Sequence, residues 1–227
     1  MASSRYLVHV TSSPTTVPVA VWVKVHTEEH LPDLVNSKTC ERADLYREIS
    51  GAFSSRHVEP KSFLALYHTT FQEPLNTSNY TQGVRPTSDL FKQAGSTDNT
   101  MRGNGHLDAR NYTMVRDYDP SELGVSKGAT PYVLVVETDP PDAEADSFEE
   151  WVLKEHILAF TKLEGYGRSV FYRLGDRALL TKTLPGKSLV IHHVTSMNAF
   201  DSRIFESSYH GKRSIVRSWQ LIHAEGY

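Results

Sequence analysis

The sequence predicts an α+β fold in which one β-α-β-β-α-β unit is used twice. Three observations carry this. An apolar helical stripe bearing a Glu-His pair occurs at Val25–Val35, around Glu29-His30, and again at Trp151–Phe160, around Glu155-His156, an offset of 156 − 30 = 126. The same offset joins Tyr6 to Tyr132, Pro14 to Pro140, Arg42 to Arg168, Tyr46 to Tyr172 and Arg47 to Arg173. An offset held across a strand, a helix and another strand marks a duplicated module of about 100 residues. Third, short runs rich in β-branched and aromatic residues flank both stripes in the same order.

The elements follow in sequence. Tyr6–Thr11 is a first strand, ended by Ser12-Ser13-Pro14. Val17, Val19, Val21, Val23 and Val25 alternate as in a strand, but the matching stretch before His156 reads as a helix capped by Asp146 or Ser147. The repeat decides for a helix from about Ala20 to Val35, since valine costs only a few tenths of a kcal/mol in a helix. Pro32 removes a helical hydrogen bond, and a kink is expected there. Arg42–Glu48 and Phe63–Phe71 are the next strands. A polar stretch, Gln72–Gly105, reads as a loop-rich cover with one helix around Ser88–Gln93, and Asn111–Tyr118 is the fourth strand. The second unit has strands at Tyr132–Thr138, Arg168–Leu174, Ser188–Thr195 and Ser214–His223, with helices at Phe148–Leu163 and Ala199–Ser207. Gly103-Asn104-Gly105 and Gly165-Tyr166-Gly167 read as turns. The order is ferredoxin-like in each unit. The first unit spans 1–119 with an insertion at about 72–105, a linker covers 120–131, and the second unit spans 132–227.

Composition bounds the function. Hydrophobic residues are 39% and charged residues 22%, the balance of a globular chain rather than a disordered one. A net charge of −3 supplies no basic footprint for nucleic acid or an anionic membrane. No apolar run reaches the ~20 residues of a membrane span. The single Cys40 forms no internal disulfide, and Met1–Arg5 lacks an apolar signal core, so a cytoplasmic location is expected.

A strand, then a helix carrying Glu29-His30-Leu31-Pro32, then β-β-α-β, resembles the EthD-like branch of the dimeric α+β barrel superfamily. The second copy keeps Glu155-His156 but has Leu158 in place of the proline. The resemblance implies two tandem ferredoxin-like units forming an intrachain dimeric α+β barrel, either a monomeric pseudo-dimer or a homodimer. Its members range from polyketide cyclases, decarboxylases and dehydratases of secondary metabolism through lactone isomerases and cofactor-free oxygenases to haem-binding branches and proteins without known activity, and fold does not choose among these; the polyketide-tailoring type, without cofactor or metal, is the expectation here.

The candidate site residues are few. His30 is the natural general acid or base, because an imidazole titrates near neutrality. Asp33, three residues on, shares its helical face and is expected to orient it. Tyr46 and Tyr172 repeat, and a phenol pair inside a barrel stabilises a developing oxyanion. Along the third strands, Tyr67 and His192 line the cavity if Leu64 and Leu66 pack under the helices, and otherwise His68 and His193 do. Arg42, Arg47, Arg168 and Arg173 read as strand-end partners of surface carboxylates. His26-Thr27-Glu28-Glu29-His30 matches a zinc-peptidase pattern formally, but Val152 stands where the repeat would place a second His26. Having lost Pro32 and Asp33 for Leu158 and Ala159, the His156 site reads as converted to packing.

Together these give His30, Asp33, Tyr46 and His68 as catalytic, with Tyr67, His156, Tyr172 and His192 contacting the substrate. The expected substrate is a hydrophobic oxygenated metabolite of polyketide type. The expected reaction is proton-transfer chemistry: decarboxylation, dehydration or cyclisation. The alternatives are a cofactor-free oxygenase on the same substrate class and a non-catalytic small-molecule binding protein.

Overall fold

The computed structural model describes residues 4–49, 61–119, 129–175, 186–201 and 214–226. The first unit contributes β1 (Tyr6–Pro14), α1 (Val19–Val25), α2 (Leu31–Asn36), β2 (Arg42–Glu48) and β3 (Phe63–Thr69). An insertion follows, with α3 (Ser78–Gly83), α4 (Asp89–Gln93) and α5 (Met101–Asn104), and then β4 (Gly105–Tyr118). The second unit has β5 (Tyr132–Thr138), α6 (Ala145–Trp151), α7 (Ile157–Phe160), β6 (Tyr166–Leu174), β7 (Ser188–Val194) and β8 (Ser214–Glu225).

The eight strands close one antiparallel barrel in the order β1-β3-β2-β8-β5-β7-β6-β4. Each unit supplies a quartet, β4-β1-β3-β2 and β8-β5-β7-β6, which is the ferredoxin-like strand order. The quartets meet at two matching seams, β2 with β8 and β6 with β4. Each seam carries a register shift, between Leu45 and Tyr46 in one and between Met114 and Arg116 in the other. Such irregularities bend a strand and sharpen its twist, which closing a sheet on itself requires.

The valine alternation before His26 loses to packing, and the segment is helical. Trp22 and Val25 are buried one turn apart, Leu31 and Leu34 continue that stripe, and Val19 faces solvent. Between α1 and α2 the chain makes a π turn over His26–His30, closed by the Leu31 N–H donating to the His26 carbonyl. The second unit repeats this turn at Val152–His156, where the Ile157 N–H reaches the Val152 carbonyl. Because that copy has no proline, the irregularity belongs to the repeat. Pro32 sits in the first turn of α2, where a missing N–H costs little. The expected proline kink is thus corrected to a π turn common to both units.

Three apolar clusters result. One packs α1 and α2 on the outer face of the first quartet, through Val8, Ala43, Leu45, Phe63, Ala65 and Tyr67. A second packs α6 and α7 on the second quartet. The third fills the barrel, with Leu7, Tyr46, Leu64, Leu66, Tyr112, Tyr172 and Trp219 among its members.

The insertion departs from the loop-rich reading. Its three short helices are each capped: Thr77 accepts from the Tyr80 N–H, Ser88 from Leu90 and Thr100 from Gly103. Buried Phe91 anchors it against Trp22, ring centroids 6.2 Å apart. β4 starts at Gly105, earlier than Asn111, because Gly105–Thr113 pair with the whole of β1. Gly105 is therefore a strand residue and not a turn. The expected helix Ala199–Ser207 is represented by a 3₁₀ turn at Met197–Asp201, and 202–207 lie outside the described residues. So do 120–128 of the expected linker.

A Cβ at Gly105 would lie 2.5 Å from the Trp22 ring and 2.8 Å from the Ser13 carbonyl oxygen. Gly105→Ala should therefore destabilise the fold by about 1–3 kcal/mol, the usual cost of overpacking. Chemical denaturation of the variant beside the parent measures this, and equal midpoints would refute the packing described.

Candidate functional site

Because the barrel interior is filled, the chemistry-bearing residues separate into two layers. Leu64 and Leu66 point inward with Tyr46 and Tyr172, and His68 and His193 share that inner side of their strands. Tyr67 belongs to the helix-facing cluster, and His192, on the outer side of β7, meets a helix histidine. Of the four residues expected to be catalytic, His30 and Asp33 thus lie outside the sheet, while Tyr46 and His68 lie inside the barrel. The sheet stands between the two pairs, so they form no single site.

The inner histidines are held by ion pairs and hydrogen bonds. The Arg42 guanidinium donates to His68 Nε2 at 2.6 Å and reaches Asp44 at 2.9 Å. His193 Nδ1 is 3.0 Å from Thr130 Oγ1. Arg168 clasps Asp117 with two bonds of 2.6 Å. Tyr172 is buried, which pushes its phenol up to about 12. At the far end of the barrel Arg110 binds Asp108 and Glu137, and Arg217 binds Glu48. His9 lies among these charges, and neither of its ring nitrogens has a hydrogen-bond partner among the described residues.

The outer layer of the first unit is different. His30 ends the π turn, half-buried, with its ring edge-on to Tyr67 at 6.1 Å and to His26 at 5.9 Å. His26 is buried, and its Nδ1–H donates to the Trp22 carbonyl at 2.8 Å, which fixes its tautomer. Among the described residues no group of three or more His, Cys, Asp or Glu is placed to hold a metal ion.

A narrow cleft opens between the helix and the insertion, lined by Glu29, His30, Asp33, Arg85 and Phe91 among others. Its free volume is ≈ 10 Å³, about the room for one water molecule. The cover over His30 is formed by residues between Arg85 and Met101, the later part of the insertion. Burial pushes His30 down to about 4, against the opposing pull of Asp33.

Asp33 does not orient the ring by a hydrogen bond. Its carboxylate accepts from Arg85 Nε at 2.7 Å, from Arg85 Nη2 at 2.9 Å and from the Arg85 backbone N–H at 3.1 Å. These bonds hold it below the usual carboxylate range. Arg85 Nη1 lies 3.9 Å from Glu29. Arg85 was absent from the sequence-derived set because the insertion has no second copy, so no offset pointed to it.

In the second unit His156 and His192 take the places of His30 and Tyr67. The two Nε2 atoms share a hydrogen bond of 3.1 Å. His192 Nδ1 bonds Ser169 Oγ at 2.7 Å, and Ser169 bonds the Tyr166 hydroxyl at 2.8 Å. Phe160 stacks on His192 at 3.8 Å, and Trp151 lies 5.0 Å from His156. Aromatic rings thus pack around this unit's histidine pair, while a buried polar chain links the two histidines to Ser169 and Tyr166. Tyr166 was missed because Gly165-Tyr166-Gly167 read as a turn, whereas Tyr166 starts β6.

No family profile matches the sequence, and no curated protein does. Among solved structures the chain is similar to an anthrone oxidase-like protein, with a TM-score of 0.58 and 13% identity over 99% of this chain and 95% of that one. It is similar to a proposed monooxygenase from Fusobacterium nucleatum subsp. nucleatum, with a TM-score of 0.56 and 9% identity over 98% and 95% of the two chains. Another proposed monooxygenase, from Lactobacillus acidophilus NCFM, has a TM-score of 0.50 and 10% identity over 98% and 96%. The fold is the dimeric α+β barrel with both ferredoxin-like units in one chain. No described helix is long and apolar enough to cross a membrane.

Two outcomes follow from this geometry. His9 and His26 are pushed down to about 3 by burial, and His30 to about 4. The unfolded chain protonates its histidines near 6.5. Between that value and about 4 the unfolded state holds more protons, so stability falls as the pH drops through this window. The slope is about 1.4 kcal/mol per pH unit for each such histidine. Urea midpoints at several values between pH 7.5 and 4.5 read the slope, and a flat profile contradicts it. His156→Ala strands His192 in the core and should cost about 1–3 kcal/mol in the same measurement.

Proposed function

We propose that the chain is a cofactor-independent enzyme acting on a hydrophobic oxygenated aromatic of polyketide type, and that its first step is removal of a substrate proton by His30. The observation that carries this is the half-buried imidazole at the floor of the covered cleft, edge-on to Tyr67. Burial keeps it neutral at pH 7, so it is poised as a base and not as an acid. A base this weak removes only a proton whose loss leaves a delocalised anion. The carbon between two aromatic rings of an anthrone, conjugated to its carbonyl, is such a position.

This chemistry favours the oxygenase branch over decarboxylation or dehydration, both of which ask for a protonated group. The carbanion reduces dioxygen, a C–O bond forms, and the hydroperoxide loses water to give a carbonyl. Anthrone plus O₂ gives anthraquinone plus water, and atoms balance without a further reductant. The likeness to an anthrone oxidase-like protein supports the same direction, as does the apolar wall that Val25, Phe91 and Met101 give the cleft. A tricyclic ligand is far larger than the free volume, so the cover from Arg85 to Met101 lifts to admit it.

The test is oxygen uptake and anthraquinone absorbance with anthrone as the probe. His30→Gln should lower the rate by about 10²–10⁴, the span for removing a general base. His156→Ala should leave it within a few-fold. A parent protein that binds anthrone without consuming oxygen would mark a binding protein instead.

A further inference from the structure

The Arg85–Asp33 pair is placed to do more than hold a cover. Arg85 is the one cation among the described residues lining the cleft, facing the carboxylates of Glu29 and Asp33. Its side chain is 55% exposed, while that of Asp33 is 14% exposed. The cation therefore sits at the mouth and the anion further in, on the helix that carries His30. Asp33 is three residues beyond His30, which puts both on one helical face. Among the described residues the groups placed around the ring are His26, Glu29 and Asp33 from its own helix, Tyr67 from β3 and Arg85 from the insertion.

Resting on the reading of His30 as the base, we propose that Arg85 is a second catalytic residue and that Arg85 and Asp33 exchange partners during proton transfer. Before the step, Arg85 and Asp33 neutralise one another, and His30 and the substrate are uncharged. As the C–H bond breaks, its proton moves to the imidazole and its electron pair stays on the substrate as an enolate. Asp33 then faces the new imidazolium, and Arg85 faces the enolate oxygen. The site begins and ends with the same net charge. Two charges created in a poorly hydrated cleft each meet an existing counter-charge, the arrangement that stabilises such a step most. The substrate class this implies is one whose carbonyl oxygen lies toward the cleft mouth while its acidic carbon lies toward His30.

The decisive experiment needs no substrate. The His30 imidazole is titrated by NMR in the parent, in Arg85→Gln, in Asp33→Asn and in the double variant. With Arg85 gone, Asp33 turns to His30, and the protonation constant should rise on the order of tenfold, the effect of one close counter-charge. In the double variant that rise should vanish. A rise that persists in the double variant shows only that the cleft has opened to water, and it overturns the exchange. No rise in Arg85→Gln overturns it as well. The same spectra report whether each variant is folded. A second arm uses 4-nitro-1-naphthol, which colours on ionisation. The parent should bind it as the coloured anion, and Arg85→Gln should raise its apparent ionisation pH by at least one unit. Equal values in the two proteins overturn the role of Arg85. Because the NMR cycle involves no turnover, its failure is distinct from a failure to oxidise anthrone.

Discussion

Closure of the barrel is the constraint from which the rest follows. A four-stranded antiparallel sheet leaves two edges of unpaired backbone groups, and open edges invite pairing with other chains. Here the β2 edge of one quartet meets β8 of the other, and the β4 edge meets β6, so all eight strands have two neighbours. Closure also creates an inside. Tyr46, Tyr112, Tyr172, Trp219 and a set of leucines fill it, with ion pairs at both ends. Among the described residues the cleft beside a histidine lies in the outer layer, between helix and insertion. The repeat then places the equivalent pairs His30 with Tyr67 and His156 with His192 in that layer.

Much of this architecture was legible in the chain because the module is repeated. β2 and β5 agree residue for residue with their expected spans, and the helix over Val19–Val25 was recovered only by letting the second copy overrule a strand-like valine pattern. Other features left no trace. A π turn differs from an α turn by one residue in the hydrogen-bond count, and apolar spacing does not resolve that. The facing of the third strands was undecided for a different reason. Phe63, Ala65 and Tyr67 pack under helices while Leu64 and Leu66 fill the barrel, so both sides are apolar and alternation is lost. That ambiguity left His68 grouped with His30, although the sheet stands between them. Arg85 was hidden in the insertion, where there was no copy to compare.

The two units have diverged along complementary lines. In the second, Phe160 lies flat on His192, Trp151 and Phe148 press on the helix side, and the Ser169–Tyr166 pair ends the histidine chain. A polar chain thus links its two histidines to β6, and aromatic rings pack against both of them. In the first, Leu34 stands where the repeat would put Phe160, and the ring face of His30 is covered by residues of a separate insertion. One unit has filled the position by packing, and the other leaves it half-buried under residues of the insertion.

A fused chain makes that division possible. In a symmetric dimer of identical units, any insertion that covers one histidine covers both, and any ring that fills one cleft fills the other. Joining the units allows Gly105 to be small where Trp22 must pass, and Phe91 to reach Trp22 from an insertion that the second unit lacks. It also allows Asp33 to exist only where Arg85 can neutralise it. Ala159 holds the matching place in the second unit and offers no carboxylate. The carboxylate and its cation therefore stand on the same side of the barrel, beside the half-buried His30. This co-occurrence is what a charge-handling site requires and what a purely structural repeat does not.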